Sequence, residues 1–195
     1  MNTAHPPLVL ASTSPFRKEL LQRLGLPFET AAPDTDETSR PDETPEALVL
    51  RLAEMKARAV GANHNGLIIG SDQVASTGAN ILGKPGSHEK AAAQLAFLSG
   101  KRVSFYTGLC LLNSASGSMQ LDMVPFHVQF RTLTDEQINR YLHAEQPYNC
   151  AGSFKSEGLG ITLFERMEGD DPTALIGLPL IRLTSMLAAS GIALP

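Results

Sequence analysis

Asp72 stands in Gly70-Ser71-Asp72-Gln73, directly after the apolar run Leu67-Ile68-Ile69. A carboxylate at the C-terminal end of a buried strand is well placed to bind a metal ion or to take a proton from water. The same residues also read as a plain turn, where aspartate is common. Lys56 follows Val49 by seven residues and Leu52 by four, on the apolar stripe of a helix. Lysine is rarely buried without a partner, although its stem can snorkel at the edge of such a stripe. Ser12-Thr13-Ser14-Pro15-Phe16-Arg17-Lys18 puts hydroxyls and cations at a strand-to-helix turn. Free N–H groups and the helix dipole there attract an anion. An ordinary cap beside a solvated Arg-Lys pair would look the same. Lys84 lies in the rigid Gly83-Lys84-Pro85, and Lys155 and Glu157 lie between Gly152 and Gly158. Glycines allow backbone to approach a ligand closely. Isolated lysines and carboxylates at element ends suit a polyphosphate and its metal.

The elements that must position these residues are legible from caps and periodicity. Residues 8–11 and 28–32 read as short strands. Ser14 and Pro15 open a helix carrying Leu20, Leu21 and Leu24, and Gly25 stops it. Residues 33–43 are polar, acidic and proline-bearing, a loop. Thr44-Pro45-Glu46 opens a second helix with an apolar face of Leu48, Val49, Leu52, Met55 and Ala59. The apolar run before Asp72 is a strand, and Gly78-Ala79-Asn80 a turn. Ser87 caps a helix with Ala91, Leu95 and Leu98, closed by Gly100. Residues 103–112 and 119–130 form a hairpin about residues 113–118. Thr134 caps a helix through Tyr141 and Leu142. Residues 161–164 read as a strand and 180–189 as a closing helix. The mixture predicts an α/β or α+β fold.

The chain has 195 residues, 43% of them hydrophobic, and a net charge of −4. The length fits a single domain over 1–195, or two small lobes around one cleft. The acidic balance argues against a duplex-binding surface but leaves room for a local basic pocket. No apolar run is long enough to span a bilayer, and residues 1–7 lack signal-peptide features, so a cytoplasmic setting is expected. Cys110 and Cys150 form no CxxC pair and read as small buried hydrophobes, with a functional role the alternative. The histidines show no HxH or HExxH spacing, which argues against zinc; any metal would have to be a hard ion held by oxygens, such as magnesium.

The motifs in order resemble the Maf family of nucleotide pyrophosphatases over nearly the whole chain. The matching residues are 10–18, Asp36-Glu37, Lys56, Gly70-Ser71-Asp72-Gln73, Gly83-Lys84-Pro85, Ser99-Gly100, Thr107-Gly108, Ala151-Gly152-Ser153-Phe154 and Gly177-Leu178-Pro179. The resemblance implies a curved mixed sheet with flanking helices and two lobes around a cleft, like inosine triphosphate pyrophosphatases. It implies attack of water on the α-phosphate, release of pyrophosphate, and a divalent cation (Mg, Mn or Co). Asp72 matches the family's proton acceptor. Ser12, Arg17, Lys56, Lys84 and Lys155 match its phosphate-handling residues. Glu37, together with Asp72, is assigned to metal or water positioning. Phe16, Gln73 and Glu157 stand where the pyrimidine-specific branch has Arg, Thr and Gln, and so resemble the branch acting on 7-methyl-GTP. Phe replaces the Trp common there, and Lys18 a common Arg. The resemblance further implies a homodimer with a small nucleotide substrate; from the acidic balance and the lack of an apolar span, neither nucleic acid nor membrane is expected as partner. The alternatives are a dTTP/UTP pyrophosphatase of the same family and a non-catalytic nucleotide- or nucleic-acid-binding regulator of cell division.

Overall fold

Leu8-Val9-Leu10-Ala11 has no polar position, because the strand it forms, β1 (Leu8–Ala11), is buried on both faces. In the computed structural model, residues 6–78 and 80–194 are described. Ala79 of the expected 78–80 turn lies outside them, as does most of segment 1–7. β1 pairs in parallel with β2 (Glu29–Ala31) and with β3 (Leu67–Thr77). β3 pairs antiparallel with β4 (Asn80–Leu82) and β5 (Arg102–Asn113). β6 (Met119–Phe130) and β7 (Phe164–Glu168) complete the seven-stranded mixed sheet, in the order β2-β1-β3-β5-β6-β7 with β4 on β3.

Side chains on opposite faces of this sheet meet different helices. Val9, Ala11 and Ile68 pack on Ala53, Ala57 and Val60 of α2 (Pro45–Gly61). Leu8, Leu10 and Ile69 pack on Leu20 and Leu21 of α1 (Pro15–Gln22) and on Leu183 and Leu187 of α6 (Leu180–Ala189). A second core joins the far parts of β3, β5 and β6 to α3 (His88–Leu98) and α4 (Asp135–Glu145). The mixed sheet with flanking helices expected from the sequence is what forms, with apolar interiors at its two ends. Ser14, Thr44, Ser87 and Thr134 each accept from a backbone N–H in the first turn of their helix, and Thr134 forms a full capping box with Gln137. Each such cap contributes about 1 kcal/mol.

Several expectations need correction. The Gly70-Ser71-Asp72-Gln73 segment is not a turn: β3 is 11 residues long and Asp72 lies in its interior. Gly70 does not end the strand. It lets α2 lie against it, since a Cβ there would meet the Ala53 carbonyl oxygen at 2.1 Å. Gly108, opposite Asp72 on β5, does the same for Val49, whose carbonyl oxygen would be 2.2 Å away. Met55 and Ala59 are only half-buried; Ala53, Ala57 and Val60 line the buried face instead. Residues 159–163 form a 3-10 turn, and the last strand begins at Phe164. A short helix, α5 (Pro172–Ile176), capped by Asp171, and a 3-10 turn at Ala151–Ser153 carry no periodicity that could reveal them. Cys110 is buried, but Cys150 only partly.

The glycine contacts carry a prediction. Gly70→Ala forces α2 away from β3, and overpacking of this kind costs about 1–3 kcal/mol. Chemical denaturation should report that loss. Lys56, which rides on α2, should be displaced with it, so activity should fall in the fraction that stays folded.

Candidate active site

The sheet is discontinuous where the chemistry sits. Pairing of β3 with β1 ends at Gly70, and pairing with β4 begins at Ala75. Between them, residues 71–74 pair only with β5. Ser12 follows the end of β1 on one side of this gap. On the other, β4 runs antiparallel back toward the gap and leads into Gly83-Lys84-Pro85. On that edge, residues 71–74 of β3 have no strand partner among the described residues.

Asp72 occupies the gap, 7% exposed. Its Oδ1 is 2.5 Å from Nζ of Lys56, which is 5% exposed on α2. The same Nζ lies 2.7 Å from Oε1 of Glu37, whose side chain is 57% exposed. One buried ammonium is therefore held between two carboxylates from different elements, which is how a protein tolerates a buried lysine. Arg17, near the start of α1, donates through Nε to the Gly177 carbonyl at 2.8 Å. Burial pulls its guanidinium below its ordinary value, while attraction to Asp72 and then Glu37 opposes this. Arginine stays charged regardless, so these groups share one field. Ser71 Oγ donates to the same Gly177 carbonyl at 2.9 Å, which gives the Gly177-Leu178-Pro179 motif its place. Ser12 is buried and its Oγ accepts from the Ser14 N–H at 3.1 Å. Phe16 is half-buried in the first turn of α1.

The structure thus brings Arg17, Glu37, Lys56 and Asp72 together, with Ser12 one residue past the point where β1 pairs with Gly70. Lys84, Lys155 and Glu157 belong to a second charged group. Lys155 Nζ is 3.4 Å from Glu145 Oε1 and donates to the Glu145 carbonyl at 3.3 Å. The Lys155 N–H donates to Tyr141 Oη at 3.1 Å. Burial raises the Cys150 thiol from its ordinary value, and Lys155, Glu157, Lys84 and Glu145 all act on it electrostatically. Phe154 pins this segment: its ring meets Phe105, Phe130 and Phe164 edge-on at centroid distances of 5.4, 5.7 and 4.8 Å. Gln73 points to the sheet face opposite Asp72. Its amide nitrogen donates to the Ala174 and Leu175 carbonyls of α5 at 2.6 and 3.0 Å and approaches Thr107 Oγ1 at 3.1 Å. A concavity of about 660 Å³ lined by Lys18, Gln22, Phe28 and Thr30 lies apart from all of these.

Two contributors carry no sequence signal. Glu145 sits near the end of an amphipathic helix, where a carboxylate reads as solvated. Arg51 lies on the flank of α2, where an arginine reads the same way. Among the described residues, no group of three or more His, Cys, Asp or Glu is placed to hold a metal. The oxygen donors at hand are the two carboxylates around Lys56. That donor set fits a magnesium-like ion, which takes one or two carboxylates and completes its shell with phosphate and water.

Fold and site define an α/β protein with a buried Lys56–Asp72 pair at a gap in its mixed sheet. The Maf-like protein family matches residues 7–190, and the chain belongs to that family. It is 62% identical over 189 residues to the 7-methyl-GTP pyrophosphatase of Nitrosococcus oceani, covering 96% of this chain and 95% of the relative. It is 60% identical over 196 residues to the 7-methyl-GTP pyrophosphatase of Alcanivorax borkumensis, covering 100% of both chains. Among solved structures, the Staphylococcus aureus Ham1 protein is similar at 16% identity and a TM-score of 0.46, over 65% of this chain and 72% of that one. No helix among the described residues is long and apolar enough to cross a membrane.

Proposed function

We propose that this protein hydrolyses 7-methyl-GTP to 7-methyl-GMP and diphosphate. The observation that carries the reading is Lys56, buried between Asp72 and Glu37 at the gap in the sheet. Asp72 accepts a proton from water as its oxygen attacks the α-phosphorus. The bond from that phosphorus to the α,β-bridging oxygen breaks, and diphosphate leaves. Such chemistry is mostly positioning and charge stabilisation, which Lys56, Arg17 and the Ser12 turn supply, with Lys84 and Lys155 across the gap holding the triphosphate tail. A divalent cation (Mg, Mn or Co), held by Glu37 and Asp72, would neutralise phosphate charge and lower the barrier to attack.

The 7-methylated guanine is cationic, and the face of Phe16 stacks on it with a cation–π contribution of about 0.5–2 kcal/mol. Glu157 accepts from the N1–H and exocyclic amine. Gln73 acts indirectly, by fixing α5 against the sheet. The names of the two relatives support the same base. A homodimer, on the strength of the family resemblance, and a cytoplasmic setting without nucleic-acid or membrane partners, on the acidic charge and the lack of an apolar span, belong to the same proposal.

The test is pyrophosphate release from a panel of nucleoside triphosphates with each metal in turn. 7-methyl-GTP should be cleaved much faster than dTTP or UTP, and the reverse ranking would assign the enzyme to pyrimidines. Binding without turnover on every substrate would point to a regulator. Glu157→Gln should narrow the preference for 7-methyl-GTP by roughly 10–100-fold in kcat/KM, the worth of hydrogen bonds to a charged acceptor.

A further inference from the structure

The loop that carries Glu37 has no secondary structure of its own. Residues 32–44 run between β2 and α2 without helix or strand and are largely exposed. Glu37 is more than half exposed, and an exposed ion pair on a free loop holds little by itself. Something else must keep this carboxylate at Lys56.

Arg51 does so. Its Nε donates to Glu43 Oε1 at 2.6 Å and its Nη2 to Glu43 Oε2 at 2.7 Å, a bidentate fork. Nη2 also donates to the Thr38 carbonyl at 3.1 Å, on the residue next to Glu37. Nη1 lies 3.3 Å from Met55 Sδ. The two side chains are 14% and 8% exposed, well shielded for members of an open loop. Glu43 Oε2 further accepts the Arg40 N–H at 3.0 Å, and Asp36 Oδ1 accepts the Thr38 N–H at 2.9 Å. Arg51 holds the Glu43 carboxyl down from 4.5 to about 2, so the fork keeps both charges through the neutral and mildly acid range. Nε and Nη2 are thus engaged with the loop and Nη1 with α2 itself.

We infer that Arg51 is a positioning residue: by clamping Glu43 and the Thr38 carbonyl it fixes the 32–44 loop, so that Glu37 reaches Lys56. The assignment rests on the hydrolytic reading above. Thr35 in the same loop carries, among the described residues, a buried hydroxyl with no hydrogen-bond partner, which fits a loop whose contacts a ligand completes.

The experiment pairs kinetics with hydrogen–deuterium exchange of residues 33–44 in wild type, Arg51→Met, Arg51→Lys, Glu37→Gln and the Arg51→Met/Glu37→Gln double variant. Arg51→Lys keeps the charge but cannot reproduce the fork, and serves if Arg51→Met folds poorly. Loop exchange should accelerate in both Arg51 variants. kcat should fall about 10–100-fold, the cost of a small misplacement, with KM little changed. Glu37→Gln should lower kcat in the wild-type background but add little to Arg51→Met, because the clamp acts through Glu37. Unchanged exchange, unchanged kcat with faster exchange, or full multiplicative losses in the double variant would each overturn the inference. If the wild type cleaved no triphosphate, the proposed function would fall, and the exchange measurements would still decide the clamp.

Discussion

Asp72→Asn should lower turnover of 7-methyl-GTP by about 10²–10⁴-fold, the range for removing a positioned general base. The substitution is nearly isosteric. The remaining Oδ1 can still accept from Lys56 Nζ, which now meets the carboxylate at 2.5 Å, and Glu37 still supplies a negative partner. Stability should therefore change much less than activity, with KM close to that of the wild type. The measurements are single-turnover rates, the circular dichroism spectrum and the melting temperature. Hydrolysis within tenfold of wild type in a folded variant would remove Asp72 from the role of proton acceptor.

Lys56→Met should have the largest effect on stability. Methionine fills much the same space, but Asp72 is then left 7% exposed with no ammonium against it. Breaking a buried pair from one side costs about 3–5 kcal/mol. For a chain of this length that is a fall in melting temperature of roughly 6–20 °C, at 2–4 °C per kcal/mol. The field of Arg17 places the value toward the lower end. Lys56→Met combined with Asp72→Asn should recover much of the loss, because no carboxylate remains stranded, while activity stays abolished. If the double variant melts no higher than Lys56→Met alone, the damage comes from packing rather than from the unpaired charge.

How far the sequence revealed this site depended on the physics behind each residue. Lys56 was legible because a cation on an apolar helical stripe breaks a strong period, and the structure gives it two carboxylate partners. The caps at Ser14, Thr44, Ser87 and Thr134 were legible because capping is local. In the sequence Asp72 reads as the end of a strand or as a turn, because the apolar run stops at Ile69, whereas β3 continues to Thr77. The constraint on Gly70 is the backbone of α2, packed in three dimensions at a position the chain order does not show. The strand expected at 161–164 failed for a related reason. Ile161 is 49% exposed, and an apolar residue outside the core misleads a reading based on hydrophobicity. The places of Lys84 and Lys155 follow from the pairing of β3 with β4 and from the aromatic cluster at Phe154, both contacts between distant segments. Arg51 was invisible because its two acceptors lie on a loop that has no pattern of its own.

Because β3 supplies Leu67 and Ile69 to one interior and Ala75 to the other, neither end of the molecule owns a complete sheet. The halves are not modules that recombination could shuffle between relatives. A graft taken between β3 and β4 would carry away the long strand from one partner and leave the other with a raw edge. Innovation in such a protein is confined to its loops, where chain can change without parting the strand that bears Asp72.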